Sequence, residues 1–143
     1  MNFLESMGDE VYSIDSSYIR GVHIVVKLNT HINLTTEGYN IMLSDIQGCA
    51  NNHNMVLEKV AIELKPYIHF HILAKYQWDI NEAYNYMEQF KRVCGRKIQQ
   101  LMNVKVRKTF EYVKVNPIHT QVHWNNTYNY ICRKEDKYST NII

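Results

Sequence analysis

Glycine and proline are scarce, five and two in 143 residues. That scarcity excludes collagen-like and Gly/Pro-rich low-complexity segments, and no stretch is rich enough in linker residues to split the chain. Cysteine is confined to Cys49, Cys94 and Cys132. An odd, widely spaced set makes neither a CxxC metal pattern nor a plausible disulfide framework, and it favours a reducing compartment. No apolar run approaches the ~18 residues of a membrane span. The first residues also lack the charged-then-apolar layout of a secretion signal, so neither membrane association nor secretion is expected. No GxxxxGK[ST] loop is present, so any ATP-driven step would need another domain or another protein. A large charge excess is missing too. The net charge is +2, and a basic surface must therefore come from clustering. What remains, 45% hydrophobic and 21% charged residues, is the make-up of one soluble globular domain over residues 1–143 with a real core.

Along the chain, residues 1 to about 18 read as an irregular or short helical lead-in. Ile19 to Leu28 is rich in β-branched residues and predicts a first strand. Thr35 or Thr36 is placed to cap a helix running to about Ala50, with Tyr39, Met42, Leu43 and Ile46 on one face. Met55 to Leu64 and Tyr67 to Tyr76 predict two strands joined as an antiparallel hairpin at Lys65-Pro66. Asp79 is suited to cap a long helix from about Ile80 to Met102. Asn103 to Val115 predicts a further strand, bent near Lys108-Thr109, and a last helix follows from about Trp124 or Asn126 to Lys137. The order β-α-β-β-α-β-α predicts an α+β domain: one antiparallel sheet with its helices packed on one face.

The stretch Tyr67-Ile68-His69-Phe70-His71-Ile72 carries the first chemical signal. In a strand, side chains alternate faces, so His69 and His71 project together while Ile68, Phe70 and Ile72 face a core. Paired imidazoles on a rigid strand are a good start for a metal site. A hard divalent ion needs a further, preferably anionic, ligand. Glu63 is the first candidate, close across the hairpin turn from the start of the His strand. Glu58, farther down the same arm, is the reserve, and only the register decides which face either takes.

The second signal is Asn129-Tyr130-Ile131-Cys132-Arg133-Lys134-Glu135-Asp136. On a helix, Tyr130 and Lys134 are four residues apart and project from one face. A phenolate stabilised by a nearby cation can attack phosphorus and form a covalent intermediate. Tyr128 is the competing tyrosine, but it points about 200° away around the helix and reads as a core aromatic. His23, His31, His53, His119 and His123 lack a partner at comparable spacing and read as surface or loop residues.

Together, the His69-Phe70-His71 strand and the later tyrosine helix resemble the HUH endonucleases, over roughly residues 19 to 137. Leu28-Asn29-Thr30 after the first strand is similar to the first motif of viral rolling-circle initiators. The tyrosine motif is most similar to that of parvoviral replication initiators, while Arg133-Lys134-Glu135-Asp136 also resembles the circular single-stranded DNA viruses. The resemblance implies an antiparallel sheet with flanking helices around an RRM-like or palm-like core. It also implies a DNA-nicking and strand-joining activity that initiates replication. His69, His71 and Glu63 would hold Mg²⁺ or Mn²⁺, Tyr130 would form a 5′-phosphotyrosine and release a 3′-OH, and Lys134 would act on the phosphate. Implied partners are single-stranded DNA, origin or hairpin DNA, and a helicase domain or protein. The compartment would be a host nucleus for a eukaryotic virus, and otherwise the cytoplasm.

Clustered cations are the expected DNA contacts: Lys91, Arg92, Arg96 and Lys97 along the second helix, then Lys105, Arg107, Lys108 and Lys114 after it. Two other readings are a single-tyrosine HUH transposase, which usually carries Gln rather than Lys in the tyrosine helix, and a non-catalytic nucleic-acid-binding domain.

Overall fold

The computed structural model describes residues 18–64 and 66–141, with side chains described to residue 133. The expected lead-in therefore lies outside the described residues, except at Tyr18. In chain order the elements are β1 (Gly21–Leu28), α1 (Thr36–Asn52), β2 (Val56–Glu63), β3 (His69–Lys75), α2 (Asn81–Met102), β4 (Phe110–Ile118), α3 (Gln121–Tyr138) and the short β5 (Ser139–Asn141). The strands form one antiparallel sheet in the order β4-β1-β3-β2-β5.

Alternation builds the main core. Val22, Ile24, Val26 and Leu28 of β1, Phe70, Ile72 and Ala74 of β3, and Val60 and Ile62 of β2 all turn to one face. There they meet Met42, Ile46 and Cys49 of α1 and Tyr86, Phe90, Cys94 and Ile98 of α2. Burying a side chain such as Phe70 or Phe90, both fully enclosed, contributes about 1.5–3 kcal/mol. Tyr86 keeps its hydroxyl satisfied in this apolar layer by donating to the Ile46 carbonyl at 2.7 Å, as a buried phenol must.

The helices do not all pack on one face, as the element order suggests they should. α1 and α2 cover the main core, whereas α3 lies across the opposite face on a second apolar cluster of Ile19, Ala61, Leu73, Ile118, Trp124 and Ile131. The physical reason lies in the strands. At Gly21, Ala61, Leu73 and Ile118 the outward positions are small or apolar, so one end of that face needs a cover. Tyr128 packs against this second cluster, in keeping with its reading as a core aromatic.

Two boundaries shift from the expected ones. Residues 103–109 are not strand; β4 begins at Phe110 and runs on through Pro117, which an edge strand tolerates because it needs no partner for the missing N–H. Helix α3 starts at Gln121, earlier than expected, because the Thr120 hydroxyl accepts from the His123 amide at 3.1 Å and acts as an N-cap. At the other helices Thr35 caps α1 through Gly38 N at 3.2 Å, and Asp79 accepts from the Asn81 amide at 2.8 Å at the start of α2. Among the described residues no helix is long and apolar enough to cross a membrane.

Candidate active site

The face away from α1 and α2 carries the candidate chemistry as a grid. Read from β4 through β1 and β3 to β2, one row of cross-strand partners is Tyr112, Lys27, His69 and Glu63. The next is Lys114, Val25, His71 and Ala61, and the third is Asn116, His23, Leu73 and Lys59. The register left open by the sequence is thus resolved: Glu63 stands directly opposite His69 and on its face. Glu58 does not. It sits where the β2–β3 register shifts, between Leu57 and Lys59, and it is exposed at the far end of the arm.

Glu63 Oε1 lies 3.6 Å from His71 Nε2, and both side chains are largely enclosed. Tyr130, on α3, presents its ring edge to His71 at 5.9 Å and to His23 at 6.2 Å between centroids. His23, Val25, Glu63, His69, His71, Tyr112, Lys114 and Tyr130 line one open depression of about 270 Å³. Residues from four strands and from α3 are brought together there although they span more than a hundred positions of sequence.

The two imidazoles of the His69-Phe70-His71 strand share one hydrogen-bonding pattern. His69 Nδ1 lies 3.2 Å from the Tyr67 carbonyl, which can only accept, so this nitrogen carries the proton. His71 Nδ1 lies 3.2 Å from His23 Nε2, with the two rings stacked at 5.4 Å. In both rings Nδ1 has a neighbour within hydrogen-bonding distance, and on His71 the opposite nitrogen, Nε2, faces Glu63. Metal-binding histidines are oriented in this manner, with the other ring nitrogen held by an acceptor. Two imidazole nitrogens and a carboxylate form a donor set suited to a divalent ion. Among the described residues no three such side chains converge on one point. His71 and Glu63 already approach each other, and His69 stands one strand position away on the same face.

His23 is the residue of this depression that spacing did not reveal. It reads as a surface histidine in the sequence, yet it is half-buried under α3 against His71. Burial, followed by the neighbouring His71 and His123, lowers its pKa to about 4. A neutral His23 can accept the Nδ1 proton of His71, and a protonated one cannot. The only signal in the sequence is its alternation with Val25 and Lys27 on β1, which places it on the outward face but does not name its partner.

The remaining expected residues divide. Lys134 lies on α3 one turn after Tyr130, and its side chain is outside the described residues. Of the expected DNA contacts, Lys91, Arg92, Arg96, Arg107 and Lys108 line a single groove between α2 and the start of β4. The structure directs Lys97 elsewhere: its ammonium pairs with Asp45 of α1 at 3.0 Å and so ties the two core helices together. Lys105 is exposed in the α2–β4 connection and does not line the groove. Lys114 lines the depression with Tyr130 instead, its Nζ 5.1 Å from the centre of the Tyr112 ring.

No protein-family model matches the chain, and no curated protein does. Among solved structures, the chain is similar to a REP-associated tyrosine transposase bound to a REP hairpin. The TM-score is 0.54 at 15% sequence identity, over 92% of this chain and 82% of that one. That likeness concerns the fold, and it agrees with the sheet and helix arrangement derived above. The chain has an α+β fold, an antiparallel sheet flanked by helices, similar to the fold of that structure.

Proposed function

We propose that this protein is a metal-dependent DNA endonuclease and strand transferase that uses a single tyrosine. The observation that carries the reading is the position of Tyr130, edge-on to His71 in the depression that also holds Glu63 and His69. In this reading His71, Glu63 and His69 hold Mg²⁺ or Mn²⁺. A divalent ion bound there supplies Lewis-acid polarisation of a phosphate oxygen. The Tyr130 oxygen attacks phosphorus, the bond from phosphorus to the 3′ oxygen breaks, and the departing oxygen takes a proton to become a free 3′-OH. One P–O bond replaces another, so the 5′-phosphotyrosine can be resealed without ATP. His23 holds the His71 ring in place. Lys114, and Lys134 by resemblance, supply positive charge to the phosphate.

Two biological settings use this same step. The Tyr130-to-Lys134 spacing favours replication initiation of the viral kind, with origin or hairpin DNA as substrate and a helicase as a further partner. The likeness to a transposase bound to a hairpin favours mobilisation of a DNA element. Both require the same intermediate, so the chemistry is tested first. Single-stranded oligonucleotides incubated with the protein and Mn²⁺ are expected to give a protein–DNA adduct that survives denaturation. Adduct persisting in Tyr130→Phe overturns the nucleophile assignment. Unchanged cleavage in the His69→Ala, His71→Ala double variant overturns the metal site.

A further inference from the structure

The groove between α2 and β4 is a second surface, distinct from the depression that holds Tyr130. Its volume is about 730 Å³. Five cations, Lys91, Arg92, Arg96, Arg107 and Lys108, line it against two carboxylates, Glu88 and Glu111. The resulting net charge of +3 exceeds the +2 of the whole chain. Both carboxylates are already engaged, Glu88 with Lys91 at 2.9 Å and Glu111 with Lys27 at 2.9 Å. The field in the groove is therefore set by Arg92, Arg96, Arg107 and Lys108.

The floor is rigid and polar. At Gly95 the helix comes so close to the residue preceding β4 that a Cβ would stand 3.1 Å from Thr109 Oγ1. The Thr109 hydroxyl donates to the Gly95 carbonyl at 3.2 Å and accepts from Gln99 Nε2 at 2.8 Å. Glycine in mid-helix, a cost of ~1 kcal/mol in helix propensity, is what permits this approach. From Glu88 to Gln99 the α2 wall is about 16 Å long, a length over which one strand of a duplex presents roughly five phosphates. Arginines, with planar donor forks, suit phosphodiester oxygens better than point charges do. A single nucleotide would leave most of this wall unused.

Tyr112 lines both the groove and the catalytic depression. It stands on β4, the edge strand, so the two surfaces meet across that edge. We propose that the α2–β4 groove grips the phosphate backbone of DNA flanking the nick site, and that the strand crosses β4 at Tyr112 to reach Tyr130. This rests on the nuclease reading for its destination, but the grip itself needs neither metal nor catalysis.

The test uses Tyr130→Phe protein in EDTA, so that only binding is read, with the salt dependence of affinity for a long and a short oligonucleotide spanning the nick site. Adding Arg96→Ala and Arg107→Ala is expected to lower the slope of log affinity against log salt by about 1.4–1.8. Between 50 and 200 mM salt, the parent then loses roughly 7–12-fold more affinity than the variant does. The short oligonucleotide, which lacks the flanking phosphates, is expected to respond little to the pair. Arg20→Ala with Lys75→Ala removes the same charge from outside the groove and is expected to leave the slope nearly unchanged. Equal slopes for the two double variants, or an equal effect on both oligonucleotides, overturn the groove. Adduct formation by the otherwise unaltered chain, measured separately, reports on the nuclease reading alone: its absence with the binding results intact leaves the groove standing.

Discussion

Gly21→Ala should damage this protein from a distance. Gly21 begins β1 beneath α3, and a Cβ built there would stand 2.8 Å from Cε3 and from Cζ3 of Trp124 and 3.2 Å from Cγ2 of Ile19. Ordinary carbon contacts lie at 3.5–4.0 Å, so the indole must retreat by about 0.7–1.2 Å. Overpacking of this kind costs about 1–3 kcal/mol. The loss of glycine's freedom in the unfolded chain returns roughly 0.5–1 kcal/mol. The net expectation is a destabilisation centred near ~1 kcal/mol and reaching at most about 2.5 kcal/mol, read as a lower urea midpoint at constant m-value. Trp124 precedes Tyr130 by six residues, about 9 Å along α3. A helix displaced by an ångström carries the tyrosine with it, and such a misplacement costs on the order of 100-fold in rate. Adduct formation by Gly21→Ala, measured well below its melting point, should fall by that order. Trp124→Leu in the same protein should recover part of it by making room. Stability equal to or above that of the parent would refute the packing of Trp124 on Gly21. Lost stability with an unchanged adduct rate would refute the coupling of α3 placement to Tyr130.

Three further outcomes are expected. Glu63→Gln should weaken Mn²⁺ binding by calorimetry at least tenfold while Glu58→Gln leaves it unchanged, and equal effects of the two would sink the register argument. His23→Ala should weaken the same binding by about 10–100-fold, the usual effect of losing a residue that orients a ligand; complete loss would instead make His23 a ligand itself. In the metal-free protein, the pKa of His23 is lowered from 6.5 to about 4, so the folded state resists a proton that the unfolded state accepts. Its stabilising contribution is therefore complete above pH 6.5 and is lost as pH falls through about 4, a total of roughly 3 kcal/mol. Chemical denaturation across that window should show the slope, His23→Asn should flatten it, and an unchanged slope in that variant would assign the dependence to other groups.

Much of the fold is legible in the residues themselves. The alternation of Ile68, Phe70 and Ile72 with His69 and His71 specifies which side of that strand is core. Phe90, Cys94 and Ile98, four residues apart on a helix, mark the stripe that covers it, whereas Tyr84, which helical spacing also assigns to that stripe, is exposed and Tyr86 is buried instead. The failures have identifiable causes. Val104 and Val106 alternate like a strand but pack as single apolar contacts from an irregular segment, a pattern that short periodicity cannot separate from a real strand. The placement of α3 on the other face depends on four outward positions in separate strands being small or apolar, and that becomes visible only once the strands are aligned. In the site, His69 and His71 are legible because two positions in one strand fix their relation. Glu63 required the register. His23 required the neighbouring strand as well, because nothing local to Gly21-Val22-His23 indicates that an imidazole stacks above it. Lys97 shows the converse: a cation in a basic stretch is drawn away by a buried carboxylate, Asp45, contributed from 52 residues earlier.

Helix α3 runs without a break into β5, where Ser139 pairs with Glu63, Thr140 with Ile62 and Asn141 with Ala61. The helix is thus seated at one end by Trp124 and sewn into the sheet at the other, beside Glu63. Tyr130 is thereby carried on a helix held at both ends. Under the proposed chemistry, the captured 5′ end stays parked over the histidines, and the released 3′-OH is the mobile party. Choosing which strand is rejoined then becomes a contest among DNA ends rather than a movement of the protein. Rejoining to a new partner should scale with the concentration of competing 3′-OH ends.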